Sequence, residues 1–182
     1  MLKTILATII IIIVIALFCA CTFFICVIWV MSRPYTRVSN TPLSLAEFNE
    51  RMGKGDFPAS AKNIYYGWSS VGMGGRAHIF RFEAPIEESI TFAKAEFNGY
   101  NKQLYDKPEE YPPCDLVPIG SVTGERVHRP DLSFLSRYYG LKRLDWFDVD
   151  QIEEGLRGPE KANHSSIWID TKRGILYSYW TV

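Results

Sequence analysis

The N-terminal part of the chain is almost uniformly apolar, whereas the remainder mixes short apolar and polar stretches. No charged residue occurs from Thr4 to Met31. A helix over Ile5 to Met31 would be about 40 Å long, which is enough to cross a bilayer core of about 30 Å with some tilt. Its central isoleucines also suit a strand, but a lone strand in lipid would leave its backbone groups unpaired. The pattern therefore predicts one transmembrane helix, Ile5 to Met31.

Two other kinds of N-terminal segment begin in a similar way. A basic residue such as Lys3 before an apolar stretch also starts a cleaved signal peptide, but the apolar core of such a peptide spans only about 7 to 15 residues. Cys21 after Ala20 resembles a site for lipid modification, yet Phe18 is bulky and the chain stays apolar beyond Cys21. We expect an uncleaved, single-pass signal-anchor.

The basic residues around this helix give its expected orientation. Lys3 lies on one side and Arg33 and Arg37 on the other, so the positive-inside count is nearly balanced. We expect a short tail, residues 1–4, inside the cell and an extracytoplasmic domain at the cell envelope. Residues 32–42 are polar and are predicted to form a short tether, which would hold a single domain, residues 43–182, close to the cell membrane.

Periodicity and capping signals predict the elements of this domain. Ser44 and Glu47 form a capping box that starts a helix, and Gly53 ends it. Alternating or aromatic-rich stretches predict strands, and apolar residues at helical spacing predict further helices. The predicted helices are Leu45 to Met52, Ile86 to Phe97, Leu132 to Tyr139 and Val149 to Arg157, and the predicted strands are Asn63 to Trp68, Arg76 to Glu83, Ser166 to Asp170 and Ile175 to Thr181.

This order of elements predicts an α+β domain with an antiparallel sheet covered by helices on one face. The last two strands form a hairpin, and the last one is expected to be central because nearly all its residues are large and apolar. The proline-rich stretch Lys107 to Pro118 is expected to be irregular.

Charge and cysteine content exclude some functions. All twenty acidic and nineteen of the twenty basic residues follow the anchor, so the formal charge of that part is −1. Nucleic acid is therefore not an expected partner, because its binding requires a basic face. Three of the four cysteines lie in the anchor. The remaining one, Cys114, is expected to be a buried apolar residue and not a nucleophile.

Several short motifs approach known sites without matching them. Gly72 to Gly75 lacks the lysine of a phosphate loop and precedes a strand. Ser69 and Ser70 lack the second glycine of a nucleophile elbow. The acidic cluster around Asp148 places Glu153 where a calcium loop requires glycine. We therefore predict no catalytic residue, no cofactor and no metal ion.

His128 and Asp131 form the most chemically suggestive pair, because an imidazole beside a carboxylate can act as a general base. The simpler interpretation is that Asp131 caps its helix. A hydrolase that uses this pair is one alternative function. A second alternative is an accessory subunit of a membrane complex, in which Ala16 and Ala20 would pack the anchor against another helix.

The feature that remains is a high content of aromatic residues on the predicted strands. Most should pack in the core, but exposed aromatic patches mark interaction sites. The interaction candidates are Tyr65, Tyr66, Trp68, Trp168 and Trp180. The leading hypothesis is a non-enzymatic, membrane-anchored binding module whose partners are the lipid bilayer and another membrane or envelope protein.

Overall fold

A computed structural model describes residues 2–31, 35–52, 57–71, 75–104, 115–121, 123–124, 127, 132–158 and 166–181. The N-terminal segment is one continuous helix, α1 (Leu2–Met31). Its side chains from Ile11 to Trp29 are all exposed, and this stretch is long and apolar enough to cross a membrane. The prediction of a helix here is confirmed.

Seven strands and three further α-helices follow in the part of the chain that the structure describes. In chain order they are β1 (Tyr35–Val38), α2 (Leu45–Met52), β2 (Lys62–Ser70), β3 (Arg76–Glu83), α3 (Ile86–Leu104), β4 (Val117–Gly120), α4 (Ser133–Tyr139), β5 (Glu154–Arg157), β6 (Ser166–Asp170) and β7 (Ile175–Thr181). A single turn of 3-10 helix, Val149–Gln151, precedes β5.

The strands form one sheet in the order β1-β2-β3-β7-β6-β5-β4, and every neighbouring pair is antiparallel. The domain is therefore α+β, as predicted. β7 lies inside the sheet between β3 and β6, and its residues from Ile175 to Tyr179 are all buried. This arrangement explains why the last strand has large apolar residues at consecutive positions, since both of its faces are covered.

Each face of the sheet has its own apolar core. On the α3 face, Phe82 and Leu176 pack with Phe48 of α2 and Phe92 of α3. On the opposite face, which we call the α4 face, residues of β3, β6 and β7 pack with Leu135 of α4 and with the segment 141–152. The prediction that helices cover one face is therefore too narrow. Because the central strands are apolar on both sides, the second face also requires a cover.

Several elements agree closely with the sequence-based prediction. α2, β3 and both strands of the C-terminal hairpin have the predicted bounds. The capping box is formed: the Glu47 carboxylate accepts the backbone N–H of Ser44 at 2.8 Å, and the Ser44 hydroxyl accepts the N–H of Glu47 at 3.3 Å. Gly140 ends α4 in the left-handed conformation, as its position after the helix predicts.

The C-terminal part of the predicted helix Val149 to Arg157 is instead strand β5, paired with β6. That helix prediction is wrong. Val149, Ile152 and Leu156 have helical spacing, but Val149 and Ile152 pack on the α4 face whereas Leu156 packs on the α3 face. At Gly155 the backbone of β6 approaches so closely that any side chain would collide with the carbonyl oxygen of Ile169. Pairing with β6 thus outweighs the local pattern.

α1, β2 and α4 differ from the prediction by one to three residues at their ends, and three other regions differ more. Tyr35–Val38, expected in the tether, forms edge strand β1 and pairs with β2. Val117–Gly120 forms the other edge strand, although its first two residues were expected to be irregular. α3 continues past Gly99 to Leu104, because one glycine inside a helix costs only about 1 kcal/mol.

Candidate ligand-binding groove

A row of aromatic rings crosses three neighbouring strands on the α3 face. Trp68 of β2 lies opposite His78 of β3, which lies opposite Trp180 of β7. Directly opposed residues of antiparallel strands project from the same face, so their rings meet. His78 stacks on Trp180 with ring centroids 4.1 Å apart, and Trp68 meets the edge of His78 at 6.2 Å. We call these three side chains the aromatic row.

Tyr35, the first residue of β1, extends this row toward the edge of the sheet. Its ring centroid is 5.7 Å from that of Trp68, in an edge-on arrangement. Tyr35 is 56 % exposed, although an aromatic ring of this size is usually more deeply packed in a sheet. Aromatic surface therefore continues from β7 to β1, the strand that follows α1 along the chain.

The aromatic row forms one side of an open groove of about 230 Å³. Tyr66 and Phe80, the next register pair on the same face of the sheet, form its floor. Phe57 and Phe92 close it on the α3 side, where their rings stack with centroids 5.4 Å apart. Among the described residues that line the groove, Glu96 of α3 is the only acidic one. The groove is therefore an aromatic surface with few polar groups.

His78 provides hydrogen-bonding capacity inside this groove. Burial, and secondarily the charge of Arg76, lowers the pKa of His78 to about 4, so the ring is neutral at pH 7. A neutral imidazole has one N–H donor and one nitrogen acceptor. Neither makes a hydrogen bond with any residue that the structure describes. Both are thus available to a ligand.

Two arginines flank the aromatic row on the same face. Arg37 lies opposite Trp68, and Arg76 lies opposite Ser70, two positions beyond Trp68. The Arg37 guanidinium donates to the Tyr35 hydroxyl at 3.0 and 3.1 Å and to the Arg51 carbonyl at 2.9 Å. These acceptors are neutral. Within the described ranges, neither arginine has a carboxylate partner.

The five aromatic interaction candidates are divided between the two faces. Trp68 and Trp180 belong to the aromatic row, and Tyr66 lies beneath it as a largely buried floor residue. Tyr65 is on the α4 face, where it stacks on Trp146 at 5.5 Å. Trp168 is 5 % exposed and packs in the core of that face. The structure therefore brings three of the five together.

The acidic cluster considered for calcium contains a carboxylate that is paired with arginines. Asp148 accepts hydrogen bonds from the Tyr177 hydroxyl at 2.8 Å and from Arg81 and Arg173 at 3.2 Å each. Burial disfavours its charge, but these three donors together hold the pKa of Asp148 below its ordinary value. We call these four residues the Asp148 network. It fastens the segment 141–152 to β3 and to the terminal hairpin.

Other sequence motifs give no site within the described ranges. The Ser69 hydroxyl is buried and donates to the Tyr139 carbonyl at 2.6 Å. His128, Asp131, Cys114 and residues 72–74 lie outside the residues that the structure describes. Among the described residues, no group of three or more His, Cys, Asp and Glu side chains is arranged to hold a metal ion.

Comparisons with protein-family models, with curated proteins and with solved structures find no match to this chain. The groove must therefore be interpreted from its own residues. His78, Arg37 and Arg76 were not among the sequence-based interaction candidates. Period-two alternation predicts that His78 shares a strand face with Phe80 and Phe82. Its position between Trp68 and Trp180 depends on the register of the strands, which could not be predicted from this sequence.

Proposed function

We propose that this chain is a single-pass membrane protein whose α+β domain is a non-enzymatic binding module, with the groove on the α3 face as its binding site. The observation that carries the proposal is the aromatic row Trp68, His78 and Trp180 beside a strand that begins directly after the anchor. Half-exposed aromatic side chains around a concave surface are typical of binding sites.

The position of the groove supports a ligand that lies in or on the same membrane. Only three residues separate Met31 of α1 from Tyr35 of β1. Whatever their conformation, the two Cα atoms are at most about 14 Å apart. Along the sheet, the aromatic row lies two positions beyond the pair Tyr35 and Ser70, which is about 7 Å. Because strands are about 4.8 Å apart, the whole aromatic row from Trp68 to Trp180 is held within roughly 30 Å of the end of α1.

Site-specific photo-crosslinking in membranes tests the proposal. A photoreactive phenylalanine analogue replaces Trp68 in the groove or, as the matched control, Tyr138, which is 63 % exposed on α4. We expect a covalent adduct with a membrane component from position 68 and not from position 138. Equal labelling at the two positions, or none at either, would contradict a binding site in the groove.

The sidedness of the domain belongs to the same proposal. We place the domain on the extracytoplasmic side of the cell membrane, with the N-terminal tail inside. Protease added to intact cells should then remove the domain and leave α1 in the membrane. Protection in intact cells, with cleavage only after permeabilisation, would reverse the orientation but would leave the groove proposal unaffected.

An accessory subunit of a membrane complex is the alternative in which the anchor is the interface. It is favoured by the exposure of Ala16 and Ala20, one helical turn apart on α1. Purification in detergent of the full chain and of its Trp68→Ala, Trp180→Ala double variant distinguishes the two. A partner retained by the double variant but lost on Ala16→Leu, Ala20→Leu substitution would support the accessory subunit.

A further inference from the structure

The two arginines beside the groove indicate the charge of its ligand. Arg37 and Arg76 lie on the α3 face, on the strands that flank β2, so their Cα atoms are about 12 Å apart. Side chains of this length can approach one group between them. Their guanidinium groups have no carboxylate partner among the described residues, whereas Arg81 has one and Arg173 has two. An anion is the complementary ligand, because guanidinium binds phosphate and carboxylate with directed N–H groups.

The groove itself indicates that this ligand also has an apolar part. Trp68 and Trp180 lie beside the arginines. Further along the groove its lining includes four phenylalanines: Phe48, Phe57, Phe80 and Phe92. A ligand that covers both regions is an anionic amphiphile. Neutral sugars would stack on the rings but would leave the two positive charges unpaired.

Resting on the proposed function, we propose that the ligand is an anionic phospholipid of the membrane that holds α1. Its phosphate would pair with Arg37 and Arg76, and its glycerol and upper acyl region would pack along Trp68 and Trp180. The short connection to α1 supports this source, since it keeps the groove at the bilayer surface, where such lipids are present. Aromatic and basic side chains together are also the combination that lies at the membrane interface.

The neutral His78 ring fits the same ligand. It lies between the two tryptophans, and its ring nitrogens are not engaged by the described residues. An N–H donor and a nitrogen acceptor at this depth suit the ester and hydroxyl oxygens of a glycerol backbone. A protonated ring would add a third positive charge. Because the pKa of His78 is lowered to about 4, the ring is not protonated near pH 7.

Tryptophan quenching by brominated phospholipids tests this inference with the full chain in nanodiscs. One set contains brominated phosphatidylglycerol in phosphatidylcholine, and the other contains brominated phosphatidylcholine alone. Quenching is measured for the wild type and for a Trp68→Phe, Trp180→Phe variant. The difference between the two is the quenching of Trp68 and Trp180, because Trp29 and the buried tryptophans are present in both proteins. We expect the groove signal to favour the anionic lipid on the order of tenfold, because both arginines attract the anionic headgroup.

An Arg37→Gln, Arg76→Gln variant should abolish the preference for the anionic lipid. The matched control, Arg137→Gln on the exposed side of α4, should retain it. Near-ultraviolet circular dichroism of each variant shows whether the domain is folded. Equal quenching by both lipids in the wild type, or a preference that persists in the double variant, would overturn the inference.

The two proposals can fail separately. A protein adduct from position 68, together with equal quenching by the two lipids, would leave the groove as a binding site and remove the phospholipid as its ligand. A lipid adduct from that position, with the anionic preference, supports both. If position 68 labels no more than position 138 and no lipid preference appears, both are contradicted.

Discussion

The two faces of the sheet differ in whether their arginines are paired with carboxylates. On the α4 face, Arg81 and Arg173 share the carboxylate of Asp148, and Tyr177 completes the arrangement. On the α3 face, Arg37 lies over the Tyr35 ring, and neither Arg37 nor Arg76 has a carboxylate partner among the described residues. Paired charges satisfy one another and need no further ligand. The charges of the Asp148 network therefore hold the domain together, whereas Arg37 and Arg76 are the groups that the proposed anionic ligand would bind.

The same substitution on the two faces gives the sharpest test of this difference. Trp168→Ala removes a buried side chain from the α4 face and should lower the free energy of unfolding by about 3 to 5 kcal/mol. Trp68→Ala removes a half-buried side chain from the groove and should cost only about 1 kcal/mol. Denaturant unfolding of the full chain in detergent, followed by near-ultraviolet circular dichroism, measures both. An equal loss of unfolding free energy in the two variants would show that the aromatic row is part of the structural core. The two faces would then not differ in function.

Removing the shared carboxylate should have the next largest effect. Asp148→Ala leaves Arg81, Arg173 and the Tyr177 hydroxyl without their common acceptor. Because Arg81 and Tyr177 are largely buried, whereas Arg173 is partly exposed and keeps its pair with Asp170, we expect the free energy of unfolding to fall by about 2 to 3 kcal/mol.

An exposed ion pair supplies the control for the Asp148 variant. Lys172 and Glu153 are 3.0 Å apart at the surface, so Glu153→Gln should change stability by less than about 1 kcal/mol. The same unfolding measurement applies to both variants. A cost for Asp148→Ala as small as that for Glu153→Gln would mean that the network does not stabilise the fold.

A pH dependence that originates in the groove should have a smaller effect than the loss of Trp168 or of Asp148. The pKa of His78 falls from 6.5 to about 4 on folding, so the unfolded chain binds more protons between these values. This contribution to stability is complete above about pH 6.5 and is lost as the pH falls toward 4. Between pH 7 and pH 5 the loss should be at most about 2 kcal/mol.

His78→Phe tests that pH dependence because it keeps the ring packing but cannot titrate. Its unfolding free energy should change less between pH 7 and pH 5 than that of the wild type. Asp148 does not interfere, since its lowered pKa places its own loss at more acidic pH. An unchanged pH dependence in the variant would assign the effect to other groups.

The comparison also shows what the sequence could and could not predict. α2, β3 and the terminal hairpin were predictable because their signals are local: a capping box, period-two alternation and a turn that ends in Gly174. β1, β4 and β5 are strands of four residues each, and their formation depends on a partner strand elsewhere in the chain. Local propensity is too weak to define such short strands.

The candidate site was predictable only in part, for the same reason. Tryptophan and tyrosine content identified Trp68 and Trp180, but it gave equal weight to Trp168, which is a core residue. Which aromatic residues share a face follows from alternation, whereas which of them are adjacent follows from register. The arginines were missed because the absence of a carboxylate partner, here among the residues that the structure describes, can be recognised only from the folded arrangement.

The short connection between α1 and β1 lowers the affinity that a ligand in the same membrane would need. Because β1 is hydrogen-bonded to β2, only three residues separate the sheet from α1, the membrane anchor that we propose. Binding to a component of the same membrane then resembles an intramolecular event, for which short connections give effective concentrations in the millimolar range. An intrinsic affinity of only about −4 kcal/mol would keep the groove half occupied under these conditions. A small, shallow and largely aromatic groove is adequate for that requirement.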